Sequence, residues 1–310
     1  MHQRRDESRS ALNRGFTYTE RIDGRGAGRP LLEHLASRYQ HSSAEAWRAH
    51  IAAGLVLVDG RTARDDTVLS RGDTVTWARP PWQEPEAPLT YDVLYEDACF
   101  VAVAKPAGLP TLPGGGYLEH TLLALVRASY PGAAPMHRLD RGATGIVLFT
   151  RTAVAARAIA RDWREGRVGK IYRALVEGSP AQDAFAVETP IGRIPHPALG
   201  AVFAASPAGL AARSEVRVLE RREGASLVEL RIETGRPHQI RIHMAACGHP
   251  LVGDPLYAAG GGLREGGAAL PGDAGYLLHA LRLAFDHPET GEPVDIVCQP
   301  PPALLSPAER

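Results

Sequence analysis

The sequence predicts an α+β fold in two domains, and three observations support this prediction. Segments in which apolar and polar residues alternate outnumber segments with helical spacing, and they follow no regular β-α-β order. The chain has 310 residues, which is long enough for two hydrophobic cores. Four prolines within residues 80–88 form a stiff linker between a short N-terminal part and a longer C-terminal part.

The N-terminal part begins with a polar tail and continues as a small α/β domain. Residues 1–25 are polar and rich in arginine and glycine, so we expect a flexible tail there. Residues 26–79 have the pattern of a compact domain. Within it we predict a helix over 30–39, a helix over 44–53 between a serine cap and Gly54, a strand over 55–58 before an Asp59-Gly60 turn, and a turn followed by a second strand over 70–77.

The C-terminal part, residues 89–310, consists mainly of predicted strands with a few helices between them. Short alternating runs bounded by turn residues are typical of strands, whereas longer runs with helical spacing are typical of helices. Glycine runs at 260–267 indicate a surface loop. We predict strands over 92–96, 100–104, 145–150, 171–177 and 227–233, and helices over 118–129, over 152–165 and from a turn at 234–237 to about residue 247.

The composition excludes several classes of protein. Apolar residues make up 44% of the chain and charged residues 23%, which are ordinary values for a globular protein. No apolar run reaches the ~18 residues of a membrane span, and the N-terminus lacks the apolar stretch of a signal peptide. Cys99, Cys247 and Cys298 are too few and too dispersed for a disulfide scaffold or a cysteine-based metal site. We therefore expect a cytoplasmic protein.

The charge balance is neutral overall but uneven along the chain. The 35 basic residues equal the 35 acidic ones, yet residues 137–173 contain nine Arg or Lys against three acids. A local excess of positive charge can bind a polyanion such as RNA. The same excess is also found on ordinary solvated helix faces, so charge alone leaves both interpretations open.

The familiar cofactor signatures are absent from this sequence. The glycines at 24–28 follow no strand, so they do not form a dinucleotide-binding loop, and no phosphate-binding P-loop sequence is present. His238, His243, Cys247 and His249 are possible metal ligands, but His238 and His243 lie about 140° apart around a helix. This spacing is poor for shared coordination, and we expect no metal.

The most informative motif surrounds Asp140. In residues 135–148 this acid lies between Arg138 and Arg141 and precedes a glycine-bearing turn into an apolar strand. The neighbouring cations favour its ionised form. Such a carboxylate can serve as a nucleophile or a general base, or it can be a structural residue that holds a loop through an arginine pair.

Two further segments supply groups that could act with this carboxylate. Arg241, in the polar stretch 234–243, could bind a buried carboxylate through two hydrogen bonds. Tyr172 lies on a predicted strand between Lys170 and Arg173, where an aromatic ring could stack on a nucleobase. Taken singly, a tyrosine at such a position is more often part of the core.

The stretch from His137 to Gly145 resembles the His-Arg-Leu-Asp signature of the RluA-type (ribosomal large-subunit) pseudouridine synthases, which isomerise uridine in structured RNA. Further motifs similar to that family follow in order along residues 92–298. Residues 30–78 resemble the αL RNA-binding motif that often precedes such domains. The motifs of the larger domain are Tyr95-Glu96-Asp97 with Lys105 to Pro110, Lys170 to Gly178, Thr234 to His243 with Gly248 to Asp254, and Leu278 to Glu292.

This resemblance implies a fold and an activity. The larger domain would be a catalytic domain with a mainly antiparallel or mixed central sheet flanked by helices, and the smaller one an αL-type RNA-binding domain. The enzyme would be an isomerase that breaks the N1–C1′ bond of specific uridines, rotates the base and joins C5 to C1′. The expected substrate is ribosomal RNA. The base must leave its stack for this chemistry. No cofactor and no metal are expected, and the enzyme would act as a monomer.

The resemblance also implies roles for single residues. Asp140 matches the catalytic carboxylate, Arg241 the arginine that pairs with it, and Tyr172 the aromatic residue that stacks on the flipped uracil and moves its C5 proton. Whether Asp140 attacks the base, attacks the sugar or removes a ribose proton stays open. Arg138 would fill the place that the base leaves. The residues assigned to substrate binding are His137, Arg138, Leu139, Arg236, His238 and Gln239.

Other functions remain possible at this stage. The chain could be a catalytically idle RNA-binding or ribosome assembly factor, or a synthase directed at transfer RNA. A glycosidase would need a second acid near Asp140, for which Glu177 and Glu229 are the best candidates. The family commonly has Asp-Thr-Ser where this chain has Gly142-Ala143-Thr144, so the turn lacks side-chain groups that could brace the Asp140 loop.

Overall fold

The computed structural model describes residues 12–39, 41–197, 199–266 and 269–310. They form two compact units, with the boundary between Glu84 and Pro85. This boundary lies inside the proline-rich segment 80–88, which contains no helix or strand. Each unit has its own hydrophobic core.

The smaller unit is a four-stranded antiparallel sheet packed against two helices. The order of the strands in the sheet is β1-β4-β2-β3. Its core contains Leu31 and Leu35 from the first helix, Trp47 and Ile51 from the second, and Val75 from the sheet. The elements are β1 (Phe16–Arg21), α1 (Leu31–Arg38), α2 (Ala44–Ala52), β2 (Val56–Val58), β3 (Arg61–Thr62) and β4 (Thr74–Arg79).

The first strand corrects a prediction. A flexible tail was expected over residues 1–25, but Phe16–Arg21 is a strand that pairs antiparallel with β4 along its whole length. The alternating sequence Phe-Thr-Tyr-Thr favours a strand only where a partner exists, and this partner lies more than 50 positions further along the chain. Residues 1–11 lie outside the described part of the chain, so that part of the tail prediction stays a prediction.

Local sequence signals explain the rest of the smaller unit. The Ser43 side chain accepts a hydrogen bond from the backbone N–H of Ala46 and so caps α2. Asp59 and Gly60 have φ values of 48° and 75°, the left-handed conformation that a two-residue hairpin turn requires. The turn joins β2 to β3 as the sequence predicted.

The larger unit is built on a ten-stranded mixed sheet. Eight strands follow the order β10-β13-β14-β9-β15-β8-β6-β5, with β16 paired to β15 and β7 paired to β8. The β15–β8 pair is parallel and the others are antiparallel. The predicted α+β class with a mixed central sheet is therefore confirmed. The strands of the unit are β5 (Asp92–Glu96), β6 (Phe100–Lys105), β7 (Ala134–Pro135), β8 (Thr144–Thr150), β9 (Gly169–Glu177), β10 (Ala184–Val187), β11 (Ile191–His196), β12 (Gly200–Ala205), β13 (Ser214–Arg222), β14 (Ala225–Ile232), β15 (Leu278–Asp286) and β16 (Pro293–Val297).

The helices of the larger unit are α3 (Leu122–Ser129), α4 (Ala153–Arg164) and α5 (Gln239–Ala246). The helix predicted to begin at residue 118 begins at Leu122, because the Thr121 side chain accepts from the backbone N–H of Ala124 and sets the first turn. Thr152 caps α4 in the same way. None of the helices in the described ranges is long and apolar enough to cross a membrane.

Several strands of this unit were not predicted. The antiparallel hairpin of β11 and β12 forms a separate two-stranded sheet, and β10 and β13 extend the edge of the main sheet. The alternation in these segments is interrupted by proline, glycine and charged residues. Their pairing therefore depends on partner strands and on the small cluster around Ile191 and Tyr257.

Strand β8 places the Asp140 loop at the centre of the sheet. It is buried between β6 and β15, and its second residue, Gly145, has φ 107°. A Cβ atom at this position would lie 2.3 Å from the carbonyl oxygen of Ala280 in β15. The parallel pairing of β8 with β15 thus requires glycine just after the Asp140 loop.

We predict that Gly145→Ala destabilises the protein strongly because the added methyl group must displace the backbone of β15. The expected loss in the free energy of unfolding is about 3 kcal/mol or more, from overpacking and backbone strain together. Gly166→Ala is a matched control, since Gly166 has φ 73° but no atom within 4 Å of a built Cβ. It should lose about 1–2 kcal/mol from strain alone. Equal losses in urea denaturation of the two variants would contradict the close-approach explanation.

Candidate active site

The backbone of the Asp140 loop is held by short contacts. The loop joins β7 to β8, and the N–H of Ala143 donates to the carbonyl oxygen of Asp140 at 3.1 Å. The Thr111 hydroxyl donates to the carbonyl oxygen of Leu139 at 2.7 Å and accepts from its N–H at 3.2 Å. The Asp140 side chain keeps 16% of its surface exposed. A carboxylate that solvent can reach is thus presented by a fixed backbone.

Lys105 supports the Asp140 loop through hydrogen bonds to backbone carbonyl oxygens. Its buried ammonium group donates to the carbonyl oxygens of Pro106 at 2.9 Å, Leu109 at 2.7 Å and Arg141 at 3.3 Å. Burial lowers the pKa of Lys105 to about 7, and the negative charge of Asp140 opposes this shift. The three acceptors match the three N–H donors that only the charged form has. Lys105 therefore ties the loop after β6 to the Asp140 loop.

Arg241 on α5 contacts Asp140 from the protein interior. One of its nitrogens, Nη1, lies 3.3 Å from Oδ2 of Asp140 and donates to the carbonyl oxygen of Pro271 at 3.0 Å. Its Nε and Nη2 bind both carboxylate oxygens of Asp254 at 2.7 and 2.9 Å. The guanidinium is buried, so Asp254 compensates its charge and fixes its plane.

Asp254 is the buried partner that orients Arg241. Burial alone would raise the pKa of Asp254, but the hydrogen bonds from Arg241 and from the backbone N–H groups of Leu256 and Tyr257 lower it below its usual value. The carboxylate is therefore ionised under all ordinary conditions. Asp254 ends the motif from Gly248 to Asp254, but the sequence alone indicated no role for its side chain.

Two tyrosines complete the surroundings of the guanidinium. The centre of the Arg241 guanidinium lies 4.2 Å from the ring centroid of Tyr276 and 5.0 Å from that of Tyr257. The Tyr276 hydroxyl donates to Oδ2 of Asp140 at 3.3 Å. Burial, and then the charge of Asp140, raises the pKa of Tyr276, which keeps the hydroxyl protonated and able to donate.

The unusual turn after Asp140 makes room for Tyr276. A Cβ atom at Gly142 would lie 3.1 Å from Cα of Ala274 and 3.2 Å from the Tyr276 ring. The aspartate that the family commonly has at this position would crowd that ring. Sequence reasoning missed Tyr276, and the departure at Gly142 was the only signal of it.

Tyr172 lies on the strand β9, near Asp140. Tyr172 is only 9% exposed and belongs to the hydrophobic core of the larger unit. Burial, and then the negative charge of Asp140, raises the pKa of Tyr172 to about 12. The phenol is therefore neutral at physiological pH.

His238 also faces the carboxylate. It precedes α5 in the left-handed conformation (φ 55°), with Nε2 3.6 Å from Oδ1 of Asp140. The Tyr257 hydroxyl has one proton, which it donates to the carbonyl oxygen of Phe203 at 2.7 Å. It must therefore accept from Nδ1 of His238, 2.7 Å away, which places the proton of a neutral His238 on Nδ1. Burial lowers the pKa of His238, and Asp140 opposes this effect.

Three of the residues predicted to bind substrate have other contacts. His137 accepts a hydrogen bond at Nε2 from the N–H of Leu148, and burial lowers its pKa to about 4. Leu139 is buried in the core. The buried Gln239 side chain accepts from Thr234 and Arg236 and donates to Arg213 and Ser214. These side chains hold the loops in place, whereas their predicted contact with substrate has no support in this geometry.

The two predicted substrate-binding arginines differ from each other. Arg138 is exposed, two positions before Asp140 in the same loop. Arg236 is half-buried and donates from Nε to the carbonyl oxygen of Ala211. Arg138 is thus available to a ligand at the Asp140 loop, and the Arg236 side chain braces the segment before β13.

Part of the positive charge in residues 137–173 is paired with acids elsewhere in the chain. Arg151 pairs with Glu96 and the buried Arg173 with Glu309, whereas Arg167 pairs with Asp162 and Glu165, two of the three acids of the segment itself. The buried ammonium group of Lys170 lies 5.3 Å from the ring centroid of Trp163. The local excess in the sequence therefore overstates the charge that a polyanion would meet. The exposed arginines of this segment without a bound acid are Arg138, Arg157 and Arg164.

The candidate metal ligands do not meet at one site, since His238 faces Asp140 and His243 does not. His243 contacts the Ser214 hydroxyl through Nδ1 and the carbonyl oxygen of Thr189 through Nε2. Both ring nitrogens are therefore engaged away from the Asp140 loop. Elsewhere in the described ranges, Asp97, Cys99 and His287 lie close enough to share an ion. The Asp97 oxygens already accept hydrogen bonds from Tyr95, two backbone N–H groups and His287. We therefore interpret this cluster as a structural contact and not as a metal site.

No second acid of the predicted glycosidase pair lies beside Asp140. Glu177 pairs with Arg264 at 3.1 Å, and Glu229 pairs with Arg217 at 2.8 Å. Asp140 instead lies next to an arginine, a histidine and a tyrosine hydroxyl, and neither of these glutamates forms an acid pair with it.

Comparison with known proteins agrees with this arrangement. The model of the RNA pseudouridylate synthase family matches residues 99–246. An uncharacterised RNA pseudouridine synthase of Synechocystis is 40% identical over 89% of this chain and 96% of the relative. The ribosomal large subunit pseudouridine synthase D of Neisseria meningitidis serogroup B is 35% identical over 85% of this chain and 73% of the relative. The solved structure of human RNA pseudouridylate synthase domain containing 1 has a TM-score of 0.55 and 26% identity, covering 72% of this chain and 89% of the human one.

This chain therefore belongs to the RNA pseudouridine synthases of the RluA type. The predicted family, the isomerase activity and RNA as the substrate class are confirmed. An idle binding factor and a glycosidase are not favoured by these findings.

We predict that Asp254→Asn lowers both stability and activity because it leaves the buried charge of Arg241 without its main partner. The expected loss in the free energy of unfolding is about 3–5 kcal/mol. Asp295→Asn is the matched control, since Asp295 binds Arg282 through both oxygens at 2.6 and 2.7 Å but on the surface. It should cost about 0–1 kcal/mol. Chemical denaturation and turnover of a target RNA would be measured, and an Asp254→Asn variant as active and stable as the control would refute the role.

Proposed function

We propose that Asp140 is the catalytic carboxylate and that Arg241 and Tyr172 act with it. The observation that carries this proposal is the arrangement around Asp140: a fixed loop presents a carboxylate that solvent can reach, Arg241 binds it from inside, and Tyr172 lies close by. Tyr276 and His238 are added to the residues in contact with the carboxylate. A flipped uridine would enter from the exposed side.

The electrostatics suggest how Tyr172 would move a proton. While Asp140 is charged, Tyr172 is a neutral phenol with a raised pKa. When Asp140 bonds to the nucleoside or takes up a ribose proton, its negative charge is lost in either case. The pKa of Tyr172 then falls, so the phenol can give its proton to N1 of the uracil once the N1–C1′ bond is broken. The resulting phenolate would take the proton that C5 loses after it has joined C1′, which restores the phenol.

Arg138 would occupy the place of the flipped base. Extrusion of a base leaves a gap in the stack, and a planar guanidinium can stack on the neighbouring bases. Arg138 is exposed and lies in the Asp140 loop, so it can enter the helix while the uridine reaches the carboxylate. Arg236, His137, Leu139 and Gln239 would support the site without touching the base.

The proposed target is ribosomal RNA of the large subunit, because a relative with 35% identity is named for it. Because this target is ribosomal RNA, we propose that the enzyme acts in the cytoplasm. We also propose that it acts as a monomer. A transfer RNA target remains the second candidate. Pseudouridine mapping in ribosomal and transfer RNA of a deletion strain, with and without the restored gene, identifies the uridine.

The smaller unit is proposed as the RNA-binding domain of the enzyme. Its two helices and the hairpin at Asp59-Gly60 correspond to the αL-like segment 30–78, to which β1 adds an edge strand. All the groups assigned here to the surroundings of Asp140 belong to the larger unit. It would therefore contribute to RNA affinity and not to the chemical step.

We predict that Asp140→Asn abolishes pseudouridine formation and leaves RNA binding nearly unchanged. Asparagine has nearly the same size but can neither form the covalent bond as a carboxylate does nor take up a proton. Product would be measured on a uridine-labelled target RNA, and binding by filter retention. Asp295→Asn serves as the control for loss of one surface carboxylate. Turnover by the Asp140→Asn variant at the wild-type rate would refute the catalytic assignment.

We also predict that deletion of residues 1–84 weakens RNA affinity more than it slows the bound-state reaction. The cut lies at the boundary between the two units, so the core of the larger unit stays whole. Dissociation constants and single-turnover rates at saturating RNA separate the two effects. An unchanged dissociation constant would show that the smaller unit does not anchor the RNA.

A further inference from the structure

The smaller unit carries a row of aromatic rings at the edge of its sheet. The centroids of Phe16 and Tyr18 are 4.8 Å apart, Tyr18 stacks on Trp77 at 5.3 Å, and Trp77 stacks on His41 at 5.7 Å. We call these four residues the aromatic strip. The two stacked pairs are nearly parallel, with interplanar angles of 20° and 18°.

Strand pairing places the strip on one face. Phe16 lies opposite Arg79, and Tyr18 lies opposite Trp77, so their side chains point to the same side of the sheet. Trp77 is buried against Trp47 of α2, at the margin of the core. Phe16 and Tyr18 extend beyond that core and remain 46% and 42% exposed. Large rings exposed side by side are a feature of binding surfaces.

The strip is also flanked by positive charge. The guanidinium of Arg79 lies 3.5 Å from the ring centroid of Trp82 and 5.9 Å from that of Trp77. Burial lowers the pKa of His41, and the charge of Arg79 lowers it further, so this cation acts on this end of the strip.

The acid on the same face does not cancel this charge. Glu20 accepts hydrogen bonds from His34 and Tyr39 and pairs with Arg38 at 3.4 Å. Its negative charge is thus balanced locally. The strip therefore combines exposed ring faces with a cationic group, the combination that binds single-stranded RNA through stacking and phosphate contacts.

We propose that the aromatic strip binds unpaired bases of the RNA substrate, with Arg79 contacting a phosphate. The proposal rests on the proposed role of the smaller unit and names the surface of that unit which the RNA contacts. Stacking of this kind requires no particular base, because every base has a π face. The strip would hold single-stranded nucleotides that flank the modified site, independently of the uridine read at Asp140.

The test uses the full-length protein and a fluorescein-labelled ten-nucleotide oligoadenylate, which offers no uridine to Asp140. Replacing both Phe16 and Tyr18 by alanine should weaken binding at least about fivefold, from the loss of one stacked base. The double variant Phe16→Tyr, Tyr18→Phe keeps both rings and should bind as the wild type does. Val68→Ala is the matched control, because Val68 is a 62% exposed apolar residue of the same unit. Its affinity should not change.

Salt dependence tests the cationic part of the site. Arg79→Gln should reduce the slope of log affinity against log salt by about 0.7, the value for one phosphate contact in single-stranded nucleic acid. Unchanged oligoadenylate affinity in the double alanine variant would overturn the proposal. Loss of a dimer in that variant, seen by sedimentation with RNA affinity unchanged, would overturn it as well and assign the strip to self-association.

The outcome is independent of the proposed target. Pseudouridine formation by the wild type in ribosomal and transfer RNA is measured in parallel. If neither RNA is modified, the proposed target fails while the oligoadenylate measurements still decide the role of the strip. If modification occurs and the double alanine variant binds oligoadenylate as the wild type does, only the proposal for the strip fails.

Discussion

The buried guanidinium of Arg241 is the interaction on which the candidate site depends. It binds Asp254 through two hydrogen bonds and Asp140 through one, and its centre lies 5.0 and 4.2 Å from the ring centroids of Tyr257 and Tyr276. A buried cation needs a compensating anion, and Asp254 fills that role completely. Asp140 is therefore the carboxylate of the group that solvent can reach, and a single hydrogen bond from Arg241 positions it.

The backbone around Asp140 is organised by groups that never touch substrate in the proposed mechanism. Lys105 links three carbonyl oxygens from two loops, and Thr111 binds both backbone groups of Leu139. Gly145 allows β8 to approach β15 closely at the residue where the loop ends. Such contacts restrict the position of the carboxylate before the RNA arrives, which reduces the reorganisation that the reaction requires.

The two units divide the proposed work between chemistry and affinity. Several arginines of residues 137–173 pair with acids of the larger unit, which leaves Arg138 as the exposed cation of the Asp140 loop. The smaller unit instead exposes rings and a cation at the aromatic strip. RNA affinity that comes partly from stacking depends less on salt than affinity from phosphate contacts alone.

The sequence by itself determined the α+β class, the capped helices, the Asp59-Gly60 hairpin and the family, because each depends on residues that are close together in the chain or on ordered motifs. It also pointed to Asp140, Tyr172 and Arg241. Only the tertiary structure decided which side chains meet: Arg241 and Tyr276 reach Asp140 from 101 and 136 positions away. The tertiary structure also shows that Gln239 and His137 hydrogen-bond to neighbouring loops and strands, and that residues 16–21 form a strand. Contacts between distant segments depend on how the sheet folds, and no local pattern encodes them.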